Sequence, residues 1–511
     1  MNRKIKIVFF CVVAILVARV CLSKANKKNE KALIQIPNEV VQISVTPNLQ
    51  VIGKAINTNI FGVNIGFALA RELDKDSGFV QLLRAMHPNS LRFPGGTVAN
   101  YYHPNLPVYG YKRSEIPPGL GVLYNVQSKR KENILYNFIR LSKAVGSGAV
   151  FCANLLTGTT EETLFVLDEL HKNNIPVLGV ELGNEFCLLP YREKEFKSGD
   201  IYIQKVEATA KAIRAKYPNL KIAVIGGVLV PQSDQSKRAQ FMRNWNEALS
   251  KVNFYDAYVW HFYANCATCD NDTYFDNVFL KSLQEMAPFK TNLLNQIMND
   301  YEAFYGTNRK LWLTEWNVGN TTYLENTFTQ AAYVYECFLK IIDINTQHNN
   351  YIELSSLHAQ AELINPYKGK LKPVLSIDGE NATTQYFAFK FLANTLTKDV
   401  LVADENIKCN QENVRNNFVC RTFYNPTSKQ VFLHYINRSG NKIALELNAN
   451  VYSNLHINAI DAEVPYASAG KTIYEKNYPN KVTSVRLREE NLTSNKIQLA
   501  PFSFGCISYS Y

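Results

Sequence analysis

From residue 61 to about residue 361, short apolar runs alternate with longer stretches whose apolar positions recur every three or four residues. The first pattern belongs to buried strands and the second to amphipathic helices, and their alternation marks repeated βα units around a parallel sheet. Eight strand-type runs occur, at 60–64, 90–93, 149–153, 177–182, 222–226, 257–260, 311–314 and 354–358. Helix candidates fill the gaps at 133–145, 161–172, 200–217, 236–252, 283–305 and 327–344. A doubly wound open sheet would alternate in the same way. No Gly-rich phosphate turn follows the first strand, however, and polar residues gather at strand C-terminal ends, which is where a (β/α)8 barrel keeps its chemistry.

After a helix at 383–396 the pattern changes to strands and polar turns, at 419–424, 430–436, 443–447, 455–460, 482–487 and 497–508. Six such strands predict a β-sandwich. Residues 39–51, alternating through Val41, Ile43 and Val45, predict one more strand that joins it. The expected architecture is therefore α/β: a (β/α)8 TIM barrel over residues 53–380, a sandwich strand within 38–52, and a terminal helix with a C-terminal all-β sandwich over 381–511. A chain of 511 residues has room for two cores, since a single core stops growing at roughly 250–300 residues.

The first 25 residues read as a signal peptide or N-terminal anchor. Met1 to Lys6 are basic, an apolar run extends to Ala18, and Ser23-Lys24-Ala25 offers small residues at a cleavage site. The protein is thus expected to be secreted or otherwise extracytoplasmic, with membrane association only through this segment. The formal charge is +11, and removing Arg3, Lys4, Lys6, Arg19 and Lys24 lowers it to +6. That excess is dispersed, which excludes a basic nucleic-acid tract. Outside the segment, eight cysteines are too few for a disulfide scaffold. In an oxidising compartment Cys409 and Cys420 could clip a hairpin, and Cys266 and Cys269 a loop. With no second Cys or His pair nearby, the latter do not form a zinc site. Sequons occur at Asn271, Asn320, Asn381, Asn437 and Asn491.

Two strand ends carry candidate chemistry. The fourth run leads through Val180-Glu181-Leu182-Gly183 into Asn184-Glu185, and the seventh through Leu311-Trp312-Leu313-Thr314 into Glu315-Trp316-Asn317. Glycoside cleavage needs one carboxyl group to protonate the leaving oxygen and another to meet the oxocarbenium-like carbon. Strand ends of a barrel converge, so Glu185 suits the acid/base and Glu315 the nucleophile. Asn184 could bond the sugar hydroxyl beside the reacting carbon. Arg92, before Pro94-Gly95-Gly96, could keep Glu315 ionised. His261 and Tyr263 of Trp260-His261-Phe262-Tyr263 could orient Glu315, and Trp316 beside it is a candidate sugar contact. Taken singly, Asn-Glu reads equally well as a helix cap, Arg92 as a structural ion-pair partner and His261 as a satisfied core residue. No Gly-x-Ser-x-Gly elbow sits at a strand end, which sets acyl transfer aside.

Together these residues resemble glycoside hydrolase clan A, whose members carry an Asn-Glu acid/base after the fourth strand and a Glu nucleophile after the seventh. Arg92-Phe93-Pro94-Gly95-Gly96 and Thr314-Glu315-Trp316-Asn317 resemble family 51, the α-L-arabinofuranosidases, which also append a β-sandwich. Val180-Glu181-Leu182-Gly183-Asn184-Glu185 is equally similar to family 79, the heparanase and β-glucuronidase group. The pattern departs from family 51 at Thr97, where that family carries Asn and where Asn100 follows a few residues on as a candidate sugar contact. The resemblance also implies that Gln360, beside His358, matches a sugar-contacting Gln, although its flanking sequence departs from the family's. The resemblance implies a retaining glycosidase that takes a carbohydrate substrate and requires no metal or organic cofactor. The alternatives are a β-glucuronidase-like enzyme, a barrel that binds glycan without turnover, and a transferase using the same intermediate.

Overall fold

The computed structural model describes residues 39–65, 72–106, 110–117, 132–230, 232–264, 276, 279–280, 282–283, 293–306, 308–319, 324–358, 382–448, 453–470, 472 and 478–511. The N-terminal segment, Gln360, Cys266, Cys269 and the sequons at Asn271, Asn320 and Asn381 lie outside them. No helix among the described residues is long and apolar enough to cross a membrane.

After β1 (Val40–Ala55), eight parallel strands close a barrel: β2 (Gly62–Asn64), β3 (Ser90–Phe93), β4 (Gly148–Cys152), β5 (Val177–Glu181), β6 (Ile222–Ile225), β7 (Ala257–Ala264), β8 (Lys310–Val318) and β9 (Ile352–Leu357). All eight apolar runs form these strands. Most of their residues are buried, because a barrel strand faces the interior on one side and the helix ring on the other. The ring includes α1 (Ser77–Ala85), α2 (Ile134–Val145), α3 (Thr160–Lys172), α4 (Gly199–Lys216), α5 (Lys237–Ser250), α6 (Leu293–Tyr305) and α7 (Phe328–Gln347). Side-chain caps start several of them, such as Asn133, Ser198 and Ser236, and Thr159 forms a reciprocal capping box with Glu162.

The C-terminal strands are β10 (Leu401–Cys409), β11 (Phe418–Asn425), β12 (Gln430–Asn437), β13 (Lys442–Leu447), β14 (Ser453–Asp461), β15 (Arg486–Asn491), β16 (Lys496–Leu499) and β17 (Ser503–Ser510). They form one nine-stranded sheet in the order β15-β14-β17-β12-β11-β10-β1-β13-β16. The sheet curls until its wings share a core. Val41, Ile43 and Val45 of β1 and Ile443 and Leu445 of β13 cluster with Ile457 of β14 and Ile507 of β17. The two layers of the expected sandwich are thus parts of one sheet. β1 lies between β10, antiparallel, and β13, parallel.

Several local readings change. β10 escaped the sequence reading because Leu401-Val402-Ala403-Asp404-Glu405 is a half-exposed, polar strand. The run at 497–508 is two strands, interrupted where Phe502 takes a left-handed φ of 46°. The strand expected at 482–487 sits at Arg486–Asn491. Cys409 and Cys420 are free thiols: Cys420 is buried in the sheet core and Cys409 donates to the Gln411 carbonyl. Asn437 is buried, its amide bonded to the Asn441 and Ala500 carbonyls, so it cannot carry a glycan, whereas Asn491 is exposed.

α7 and α8 (Thr384–Thr395) fill the space between barrel and sheet, which is why α7 is buried almost all round. Phe338 packs toward the barrel on Phe61 and Trp316, while Phe328 and Tyr335 pack toward the sheet on Phe504. Tyr335 and Thr395 also hydrogen-bond the two ring nitrogens of buried His434, and burial pushes that imidazole down to about 3.

Candidate active site

Because the strands run parallel, their C-terminal ends open on one face, and β5 and β8 deliver the two candidate carboxylates there. Beyond β5 the chain turns at Gly183, whose φ is 105° and where a Cβ would lie 2.0 Å from the Phe186 ring. Glu185 itself has a φ of 53°, a strained conformation for a non-glycine residue that must be held by its surroundings. Asn100 does part of this. Its Oδ1 accepts the Asn184 N–H at 3.0 Å and its Nδ2 donates to the Asn184 carbonyl at 2.9 Å. Asn100 is fully buried and occupied with this backbone pair, so it supports the turn instead of contacting a sugar.

Glu315 is presented by β8 between Thr314 and Trp316. Arg92 Nη1 donates to its Oε1 at 2.7 Å and the Tyr263 hydroxyl to its Oε2 at 2.8 Å. The β7–β8 pairing is irregular between Val259 and His261, and such a bulge re-aims the side chains beyond it. His261 consequently lies between the carboxylates. Its Nδ1 is 2.8 Å from Glu185 Oε1 and 3.7 Å from Glu315 Oε2, and its Nε2 is 3.3 Å from Thr314 Oγ1. His358 Nδ1 stands 3.9 Å from Glu315 Oε2. Glycines form the floor: at Gly96, with φ 63°, a Cβ would come 3.7 Å from Glu315 Oε1.

The two carboxylates differ in setting. The Glu185 side chain is 29% exposed and that of Glu315 only 7%. Burial opposes a charge on Glu315, yet His261, His358 and Arg92 outweigh it and hold the group well below the usual carboxylate range. Burial likewise opposes a charge on His261, and Glu315 and Glu185 outweigh it, so its imidazole is raised above the ordinary value. Arg92, fully buried among Glu181, Glu315, Asn64 and Asn184, stays cationic.

The structure brings together Glu185, Glu315, Arg92, Asn184, His261 and Tyr263. Trp316 does not join them. Strand alternation turns it to the opposite side from Glu315, where its indole N–H donates to Ser355 Oγ at 2.7 Å and its ring meets Phe338 edge-on in the helix layer. It is buried and cannot reach a ligand, so it does not make the sugar contact expected from its place beside Glu315.

The sequence reading passed over Asn64, Glu181 and His358. Asn64 ends the first barrel strand, accepts from Arg92 at 2.9 Å and donates to the Thr314 carbonyl at 2.8 Å, tying three strand ends together. Glu181 was detectable as a charge inside an otherwise apolar strand. Asn184 Nδ2 is buried and has no protein partner, which leaves one amide donor of this framework unspent.

Among the described residues, Glu185, His261 and Glu315 are the one grouping of three side chains that could hold a metal ion, with ligand atoms within 4.8 Å of one another. A cation there would have to displace the hydrogen bonds of His261 to Glu185 and compete with Arg92 for Glu315. The arrangement instead offers proton transfer at Glu185 and an ionised oxygen at Glu315, facing one another across a few ångströms.

No protein-family model matches the sequence, and no curated protein matches it. Solved structures do share the fold. The α-L-arabinofuranosidase from Thermotoga maritima, solved with arabinose, is 15% identical with a TM-score of 0.63, over 92% of this chain and 99% of that one. The GH51 arabinofuranosidase from Xanthomonas axonopodis pv. citri is 13% identical with a TM-score of 0.62, over 92% of this chain and 100% of its own. CelM2, a bifunctional glucanase-xylanase from a metagenome library, is 12% identical with a TM-score of 0.56, over 93% and 100%. At these identities the likeness is one of fold, a closed barrel with an appended curled sheet.

Proposed function

We propose that this chain is a retaining glycoside hydrolase acting on oligosaccharide or polysaccharide outside the cytosol, with an α-L-arabinofuranoside as first-choice substrate. The observation that carries this reading is the pairing of Glu185 and Glu315, from the fourth and seventh barrel strands, with one carboxylate oxygen of each within 4.8 Å of the other. Retaining enzymes hold their two carboxyl groups roughly 5–5.5 Å apart and inverting ones roughly 6.5–9.5 Å, leaving room for a water. So close an approach of the two oxygens leaves little room for a water between them, which supports retention.

In the first step a Glu315 oxygen attacks the anomeric carbon, the bond to the leaving oxygen breaks, and Glu185 gives that oxygen its proton. In the second, Glu185 takes a proton from water, whose oxygen displaces Glu315 with a second inversion. Arg92 and Tyr263 keep Glu315 ionised and oriented. The free Nδ2 of Asn184 suits the hydroxyl beside the reacting carbon, an interaction that can strengthen as charge develops.

The preference for arabinofuranoside rests on the family 51 likeness of both motifs and fold. A glycan-binding barrel without turnover gains nothing from an ionised Glu at hydrogen-bond distance from Arg and Tyr, in a cleft also holding a partly exposed Glu. The test is a screen of aryl α-L-arabinofuranoside, β-D-glucuronide, β-D-xyloside and β-D-glucoside, with Glu315→Ala as control. Turnover of the first, abolished in the variant, is expected. Turnover of the glucuronide alone moves the substrate to the alternative family, and no turnover by the wild type overturns the enzymatic reading.

A further inference from the structure

Arg92 uses every one of its N–H groups, but the nucleophile receives only one of them. Nε donates to Glu181 Oε1 at 2.9 Å and Nη2 to Glu181 Oε2 at 2.7 Å, a two-pronged pair. Nη1 serves Asn64 at 2.9 Å and Glu315 at 2.7 Å, and Nη2 also reaches Asn184 at 2.9 Å. Arg92 and Glu181 are both fully buried. The guanidinium's stronger partner is therefore a carboxylate that faces no ligand. Glu181 ends β5, three residues before Asn184 and four before Glu185, so it belongs to the strand that presents the acid/base while it grips the residue that steadies the nucleophile.

A buried guanidinium needs a counter-charge at every stage of a reaction. In a double displacement Glu315 is an anion in the free enzyme and a neutral ester in the glycosyl-enzyme, so its charge vanishes and returns in each cycle. We infer that Glu181 is a positioning residue that holds Arg92 neutralised while the charge on Glu315 comes and goes. This inference rests on the retaining reading above. With Glu181 in place, formation of the ester leaves a complete Arg92–Glu181 ion pair. Without it, Arg92 would bind the free Glu315 anion with its whole charge, weakening the nucleophile, and would then be left unpaired in the intermediate. The second step, deglycosylation, would gain, because an unshared Arg92 stabilises Glu315 as it departs.

The test compares the two chemical steps in Glu181→Gln, which preserves shape and removes charge. Glycosylation is read as kcat/KM on the aryl glycoside that the wild type cleaves. Deglycosylation is read as the rate at which enzyme trapped with the matching activated 2-fluoro glycoside regains activity. Glycosylation is expected to slow roughly tenfold or more while reactivation is unchanged or faster. Glu181→Asp, which withdraws the carboxylate by one methylene, shifts the same ratio in the same direction by a few-fold, and it decides the matter should Glu181→Gln not fold. Equal slowing of both steps in the folded variants would show a structural role only and overturn the inference while leaving the glycosidase reading intact. Absence of any turnover by the wild type overturns both.

Discussion

Half-buried His261 at the barrel mouth and fully buried His434 between barrel and sheet both have their two ring nitrogens near polar partners, yet the fold treats them oppositely. His261 is bonded to Glu185 and lies 3.7 Å from Glu315, and these carboxylates raise it despite burial. The ring nitrogens of His434 meet the hydroxyls of Tyr335 and Thr395, which offer no counter-charge, and burial drives the imidazole down to about 3. Charge at depth is set by the groups placed around it. The mouth is a network of ion-paired groups, Arg92 with Glu181 and Glu315, beside His261, which is raised toward its charged form. Around His434 the domain interface joins through hydroxyls and aromatic packing, and its ion pairs, Arg421 with Asp343 and Arg438 with Glu336, lie elsewhere along α7.

Removing a charge from the mouth should therefore cost far more than removing a polar group from the interface. Arg92→Met leaves Glu181 buried and unpaired and should destabilise the protein by about 3–5 kcal/mol, seen in urea unfolding. A loss under about 1 kcal/mol would mean that the mouth is not the charged network described. Glu185→Ala should slow hydrolysis of poor leaving groups by about 10²–10⁴-fold and change activated aryl leaving groups much less. A flat dependence on the leaving group would break the assignment of Glu185 as acid.

The interface gives a pH effect of known sign. Below an unfolded value of about 6.5 the unfolded chain binds a proton at His434 that the folded chain refuses until about pH 3. Stability should thus fall by up to about 1.4 kcal/mol per pH unit over that window. His261 works the other way, stabilising below about pH 6.5 and losing its contribution as pH rises through its raised folded value. His434→Gln should flatten the acid-side decline in urea midpoints between pH 7 and pH 5, and an unchanged slope would show that His434 is not its source. The smallest effect is expected for Trp316→Phe, which loses one hydrogen bond to Ser355, about 1 kcal/mol, and leaves KM unchanged because the ring faces the helix layer.

The barrel was legible in the sequence because each of its strands is a short run with few polar interruptions, a pattern that buried parallel strands impose. β10 was not, since a half-exposed strand lacks that signature. Glu185, Glu315 and Arg92 could be read because they follow apolar runs, where an unsatisfied charge would be costly. Trp316 was misplaced because adjacency in sequence to Glu315 means opposite faces in a strand. Asn100 was near the site but turned to the backbone, a distinction that only the fold supplies. Glu181 lay in plain view inside the same motif as Glu185. Its role emerged only when Arg92, 89 residues away, was found against it.

Double displacement requires Glu315 to become covalently bonded to the sugar. Enzyme inactivated with an activated 2-fluoro glycoside of the preferred sugar, digested and examined by mass spectrometry, should carry the label on the peptide containing Glu315. A label on another residue, or turnover without any trapped adduct and with an inverted product, would contradict the account.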